Sequence, residues 1–139
     1  MREIEFRGKR IDNGEFIYGD LLQINDRTYI HPDHQGDLED IDFGYSFIEV
    51  IPESVGQFTG YRDKNKEKIY EKDIVKYTVT HTEKKGNIFF AEVFFCNGSS
   101  HSEWKLKKGK WHTALAYNRI FNSKIEKVGN KIDNSELIK

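Results

Sequence analysis

Apolar and polar residues alternate with a period of two along much of the chain, and no apolar stripe recurs at helical spacing over several turns. Ile4 and Phe6 oppose Glu3, Glu5 and Arg7, which predicts a half-buried strand over residues 2–7. Asp12-Asn13-Gly14 then marks a turn, because Asn and Gly both tolerate positive φ. Phe16 and Tyr18 alternate with Glu15 and Ile17 in a second strand, and Gly19-Asp20 interrupts it. Residues 21–24 form a third strand, Asn25-Asp26 a turn and residues 27–30 a fourth, at the spacing of a meander. Residues 33–42 carry five acids with no sustained period and read as an exposed loop. Residues 43–51 resume the alternation until Pro52, which cannot donate to a ladder.

The centre of the chain reads as a strand over residues 55–61 with weak points at Gly56 and Gly60, a polar turn at Asp63-Lys64-Asn65-Lys66, and a return through Ile69 and Tyr70. Beyond it, Val75, Tyr77 and Val79 form the buried face of the next strand. Residues 88–96 are apolar on both sides, the pattern of a central strand, with Glu92 the exception that needs a rim position or a basic partner. Trp104 and Leu106 begin another strand, residues 107–110 turn, and residues 111–117 continue the sheet. Ile120, Phe121, Ile125 and Val128 are late core residues, and Asn134 is placed to cap a short terminal helix. The expected fold is mainly β, with short antiparallel strands and hairpins, little helix, and an SH3-like small barrel in the C-terminal half. It fits one domain over residues 1–139, with lobes at 1–52 and 53–139.

Composition adds three points. Ten Phe, seven Tyr and two Trp supply a core despite the 32% of charged residues. The single Cys96 excludes an intrachain disulfide and points to a reducing compartment. No secretory leader pattern or membrane-length apolar run is present, so the expectation is a cytoplasmic protein with no membrane partner. The net charge of −1 hides an asymmetry: residues 1–60 sum to −8, residues 61–100 to +2 and residues 101–139 to +5. Two such surfaces can attract within a chain or between subunits, or merely be solvated.

Val55-Gly56-Gln57-Phe58-Thr59-Gly60, followed by Asp63-Lys64-Asn65 and by Ile69-Tyr70-Glu71-x-Asp73-Ile74-Val75, resembles the signature of the YopX family of phage and prophage proteins. The start, Met1-Arg2-Glu3-Ile4-x-Phe6-Arg7-Gly8-Lys9, and the tail, Val128-Gly129-Asn130 through Asn134-Ser135-Glu136-Leu137, are similar to the family's ends. The resemblance implies a viral or prophage origin and no particular activity. Two positions depart from it: Lys66 and Lys72 stand where the family usually has Gly. If the backbone there needs positive φ, each Lys costs about 1 kcal/mol. Otherwise Asn65 carries the left-handed residue.

Candidate chemistry is sparse. His31-Pro32-Asp33-His34, with Asp37, is the nearest approach to a metal motif, but no Cys pair supports it. Cys96 has only His101 near it in sequence and reads as a small residue at a strand end. No glycine-rich phosphate cradle is present. Catalytic, metal and cofactor residues are therefore expected to be absent. The basic, aromatic-bearing segment 104–127 is the best nucleic-acid candidate, with Lys105, Lys107, Lys108, Lys110, Arg119 and Lys124 to follow phosphates and Trp104, Trp111 and Tyr117 to stack on bases. The simpler reading makes the tryptophans core and the lysines solvated turns. The expected function is a non-enzymatic phage or prophage accessory protein, a β-rich binding module with an unknown protein partner or a second copy of itself. Nucleic-acid binding through residues 104–127 is the alternative.

Overall fold

The computed structural model describes residues 3–32, 47–78, 86, 88–97, 102–115 and 125–138. Within them the chain is mainly β, with paired strands running antiparallel and no α-helix among the described residues. The acidic stretch 33–42, the first four residues of the expected strand over 43–51, and Ile120 and Phe121 lie outside the described residues. Two compact units divide the chain, Met1–Phe58 and Thr59–Lys139, and the division falls inside one strand, β5 (Gly56–Arg62).

The first unit holds β1 (Phe6–Lys9), β2 (Phe16–Ile24), β3 (Arg27–Pro32), β4 (Ile48–Val50) and the start of β5, in the order β4-β3-β2-β1-β5. The expected break at Gly19-Asp20 is absent, and β2 runs unbroken through nine residues. Gly19 does not end the strand; it lets a neighbour pass close. A Cβ there would overlap the His31 carbonyl oxygen and stand 2.8 Å from its carbon. The turn after β2 closes through Asn25 at φ 55°. Ile30 and Val50 are fully buried, with Thr28 and Phe58 nearly so. Arg7 is buried as well, its guanidinium carbon 4.7 Å from the centre of the Phe16 ring. The end of β1 returns to β4: Arg10 bridges Val50, and the Ile51 amide donates to the Lys9 carbonyl at 2.8 Å. That contact covers part of the edge β4 would otherwise expose.

The second unit continues β5 against β6 (Lys68–Tyr70) and builds a five-stranded sheet from β7 (Asp73–Thr78), β8 (Ile88–Asn97), β9 (Ser102–Lys108), β10 (Trp111–Ala114) and β11 (Ile125–Asn130). Its order is β10-β9-β8-β7-β11, so β8 is central, as its apolar run predicts. Alternation along paired strands puts Val75, Ala91, Val93, Trp104, Leu106 and Ile125 on one face, where they form the core with Ile69 and Leu115. Glu92 points to the other face and finds the basic partners it needs, Lys131 at 3.5 Å and Lys107 at 3.9 Å.

The expected SH3-like barrel does not close among the described strands, since β10 and β11 end the sheet on opposite sides. The edge of β11 is occupied by the polar turn after β5: the Lys64 amide donates to the Ile125 carbonyl at 3.0 Å, and the Lys127 amide donates to Asp63 at 2.9 Å. The chain ends in a 3-10 turn over Ser135–Ile138. Asn134 precedes it, but its side chain accepts from the Asn130 amide at 3.2 Å, holding the preceding turn.

Candidate functional site

The signature stretch supplies two buried carboxylates, and both are engaged by donors. Asp63 is 1% exposed. Its Oδ1 accepts from the amides of Asn65 at 2.8 Å and Glu67 at 2.9 Å, and its Oδ2 accepts from the amide of Lys127 on β11. One side chain therefore closes a turn and fastens it to a strand 64 residues away. Charged acceptors make the stronger hydrogen bonds, and a buried carboxylate needs such donors. Asp73, 0% exposed, does similar work at the next turn. Its Oδ2 accepts from the Tyr70 amide at 2.7 Å and lies 3.4 Å from the Lys127 ammonium. That ammonium also donates to the Lys68 carbonyl at 3.3 Å and sits 5.5 Å from the centre of the Tyr70 ring.

The two departures from the family pattern fall where the backbone is left-handed. Lys66 has φ 66° and Lys72 φ 74°, while Asn65 keeps a negative φ. The geometry that glycine suits is thus retained with lysine in place. The Lys72 amide donates to the Val93 carbonyl at 2.9 Å, and its own carbonyl accepts from the Lys131 amide at 2.7 Å. Both bonds require the turn to stay in that conformation. Nearby, the ammonium groups of Lys76 at 3.0 Å and Lys64 at 3.2 Å hold the Glu126 carboxyl below its ordinary pKa.

The basic segment is split between two faces of the sheet. Trp104 is 7% exposed, part of the core, with Phe95 4.8 Å away and its indole N–H buried with no hydrogen-bond partner among the described residues. Leu106, Lys108 and Trp111 share its face. Lys105 and Lys107 point to the other face, Lys105 3.7 Å from Glu103 and Lys107 beside Glu92 and 4.8 Å from the Phe94 ring. Lys110 is exposed in the turn. Arg119, Lys124 and Tyr117 lie outside the described residues.

What the structure does assemble is an aromatic group. Trp111 is 40% exposed, its ring edge-on to Phe89 at 4.8 Å and tilted against Tyr77 at 5.8 Å. Tyr77 and Phe89 are 5.1 Å apart, and the Lys108 ammonium stands 5.8 Å from the Phe89 ring. Phe89 and Tyr77 read as core from their alternation alone. Only the pairing of Trp111 with Lys108, which carries β10 back along β9, makes them neighbours of a surface tryptophan.

His31 lies 5.3 Å from Phe47, whereas His34 and Asp37 are outside the described residues. Among the described residues no group of three or more His, Cys, Asp or Glu is placed to hold a metal. Nor is any helix among them long and apolar enough to cross a membrane.

These features define a small, mainly β protein of two antiparallel sheets whose signature carboxylates are engaged by backbone amides and, at Asp73, by the Lys127 ammonium. The sequence model of the YopX protein family matches residues 5–139, and the chain belongs to the YopX family. Among solved structures it is similar to the crystal structure of protein EF1440 from Enterococcus faecalis, with a TM-score of 0.56, 20% identity and coverage of 100% of both chains. At that identity the likeness concerns the fold. No curated protein matches the chain.

Proposed function

We propose that this YopX protein is a non-enzymatic accessory protein of phage or prophage origin, working in the cytoplasm of the host cell as a small binding module for another protein. The observation that carries this reading is Trp111. It is a surface tryptophan on an edge strand, backed by Phe89 and Tyr77 with Lys108 beside them. Rings already packed on one another lose little freedom on binding, and such anchors contribute most of the energy at interfaces. Self-association falls within the same reading, since β10 ends the order of the described strands in its sheet.

The test is quantitative capture from infected host cells with the native chain and with Trp111→Ala. A specific partner should be recovered, and the variant should weaken its binding by at least about 2 kcal/mol, roughly thirtyfold. Equal capture by both would remove this surface from the account.

A second reading, nucleic-acid binding, draws on the same place, because Lys108 and Lys110 flank an exposed ring on which a base could stack. It expects single-stranded DNA binding that weakens steeply with salt and is reduced by Trp111→Ala. Absence of binding at low salt, where electrostatic affinity is greatest, would eliminate it.

A further inference from the structure

We propose that Asn13 is a site of spontaneous deamidation, and that the folded hairpin between β1 and β2 holds the reaction back. The sequence places Gly directly after Asn in an exposed turn, so no side chain hinders approach of the Gly14 nitrogen to the Asn13 side-chain carbon. The reaction is an intramolecular acyl substitution. The Gly14 amide gives up its proton, its nitrogen bonds to Cγ of Asn13, and the C–N bond to the side-chain amide breaks, releasing ammonia. The resulting succinimide takes up one water at either carbonyl and opens to aspartate or isoaspartate. No co-reactant beyond water is needed.

The native turn engages both reacting groups. The Gly14 N–H, which must lose its proton, donates to the Arg10 carbonyl at 3.0 Å. The Asn13 Oδ1 accepts from the Glu15 amide at 2.9 Å, which fixes where the side chain sits. The loop is closed from outside these bonds as well. The Arg10 amide donates to the Glu15 carbonyl at 2.9 Å, and the Arg10 guanidinium grips Asp12 through two bonds, at 2.9 Å and 2.7 Å. To react, Gly14 must leave the Arg10 carbonyl and the Asn13 amide must leave Glu15, which requires the turn to open. The two products differ in consequence. An aspartate at position 13 keeps an oxygen for the Glu15 amide and adds one negative charge. An isoaspartate inserts a methylene into the main chain and cannot keep the hairpin register.

The experiment uses the full chain in mildly alkaline buffer, native and unfolded in urea, with peptide mass mapping and isoaspartate detection over time. Asn97-Gly98, the second such pair in the sequence, is the internal reference in the unfolded chain. In urea, Asn13 should convert at a rate comparable to Asn97. In the native chain, Asn13 should convert at least about tenfold more slowly, the factor that an opening free energy of roughly 1.4 kcal/mol sets. Amide exchange at Gly14 should be slowed in parallel. Native conversion as fast as in urea, or no conversion at Asn13 even in the unfolded chain, would overturn the proposal.

Discussion

Replacing Asp63 with alanine is expected to destabilise the second unit by about 4 kcal/mol, a large part of the roughly 5–15 kcal/mol that holds a typical domain. Three backbone amides, those of Asn65, Glu67 and Lys127, lose their acceptor at once. Hydrogen bonds to a charged group contribute roughly 1.5–3 kcal/mol each, and partial rehydration of the turn offsets part of the sum. Asp63→Asn keeps one acceptor oxygen and should lose about half as much. Both tryptophans of the chain lie in this unit, so their fluorescence during urea unfolding reports it directly. A loss below about 1 kcal/mol for the alanine variant would mean that the turn does not depend on this carboxylate.

Gly19→Val is expected to be at least as damaging in the first unit. The new side chain would need room already filled by the His31 backbone, and Gly19 has φ 157°, which an L side chain rarely adopts. A backbone neighbour cannot swing aside as the tip of a side chain can. Relief requires separating β2 from β3, whose ladder runs from Gly19 opposite Pro32 to Ile24 opposite Arg27. The expected cost is above about 4 kcal/mol, among the exceptional values for a single substitution. Amide exchange over residues 16–32 would register it as loss of protection throughout β2 and β3. A variant with wild-type protection there would show that this close approach is not a constraint.

Much of the architecture was legible in the sequence because strands that bury one face must alternate. The two-sided apolar run of β8 and the Asn25-Asp26 turn lead to the elements found, whereas the alternation of Ile4 and Phe6 places the first strand too early: it runs over Phe6–Lys9, and Ile4 is exposed. Gly19 misled because a glycine inside a strand marks either a break or a close approach, and only its partner strand tells which. Asp63 gave a partial signal. An Asp opening a polar turn commonly accepts from the amide two residues on, as it does from Asn65. Its grip on Lys127 was not readable, since nothing local connects residues 64 positions apart. The basic segment was legible as basic and aromatic, but not as two faces. That division follows from the register of β9 against β8 and β10.

The signature stretch is a structural fastening whose turns require left-handed backbone at Lys66 and Lys72. Urea unfolding of the double variant Lys66→Gly, Lys72→Gly, followed by tryptophan fluorescence, tests it most directly. Relief of two strained residues, less the extra freedom glycine gives the unfolded chain, should raise stability by roughly 1 kcal/mol in total and move the midpoint to higher urea. A midpoint that falls would contradict the claim, because glycine is destabilising wherever the backbone does not need positive φ.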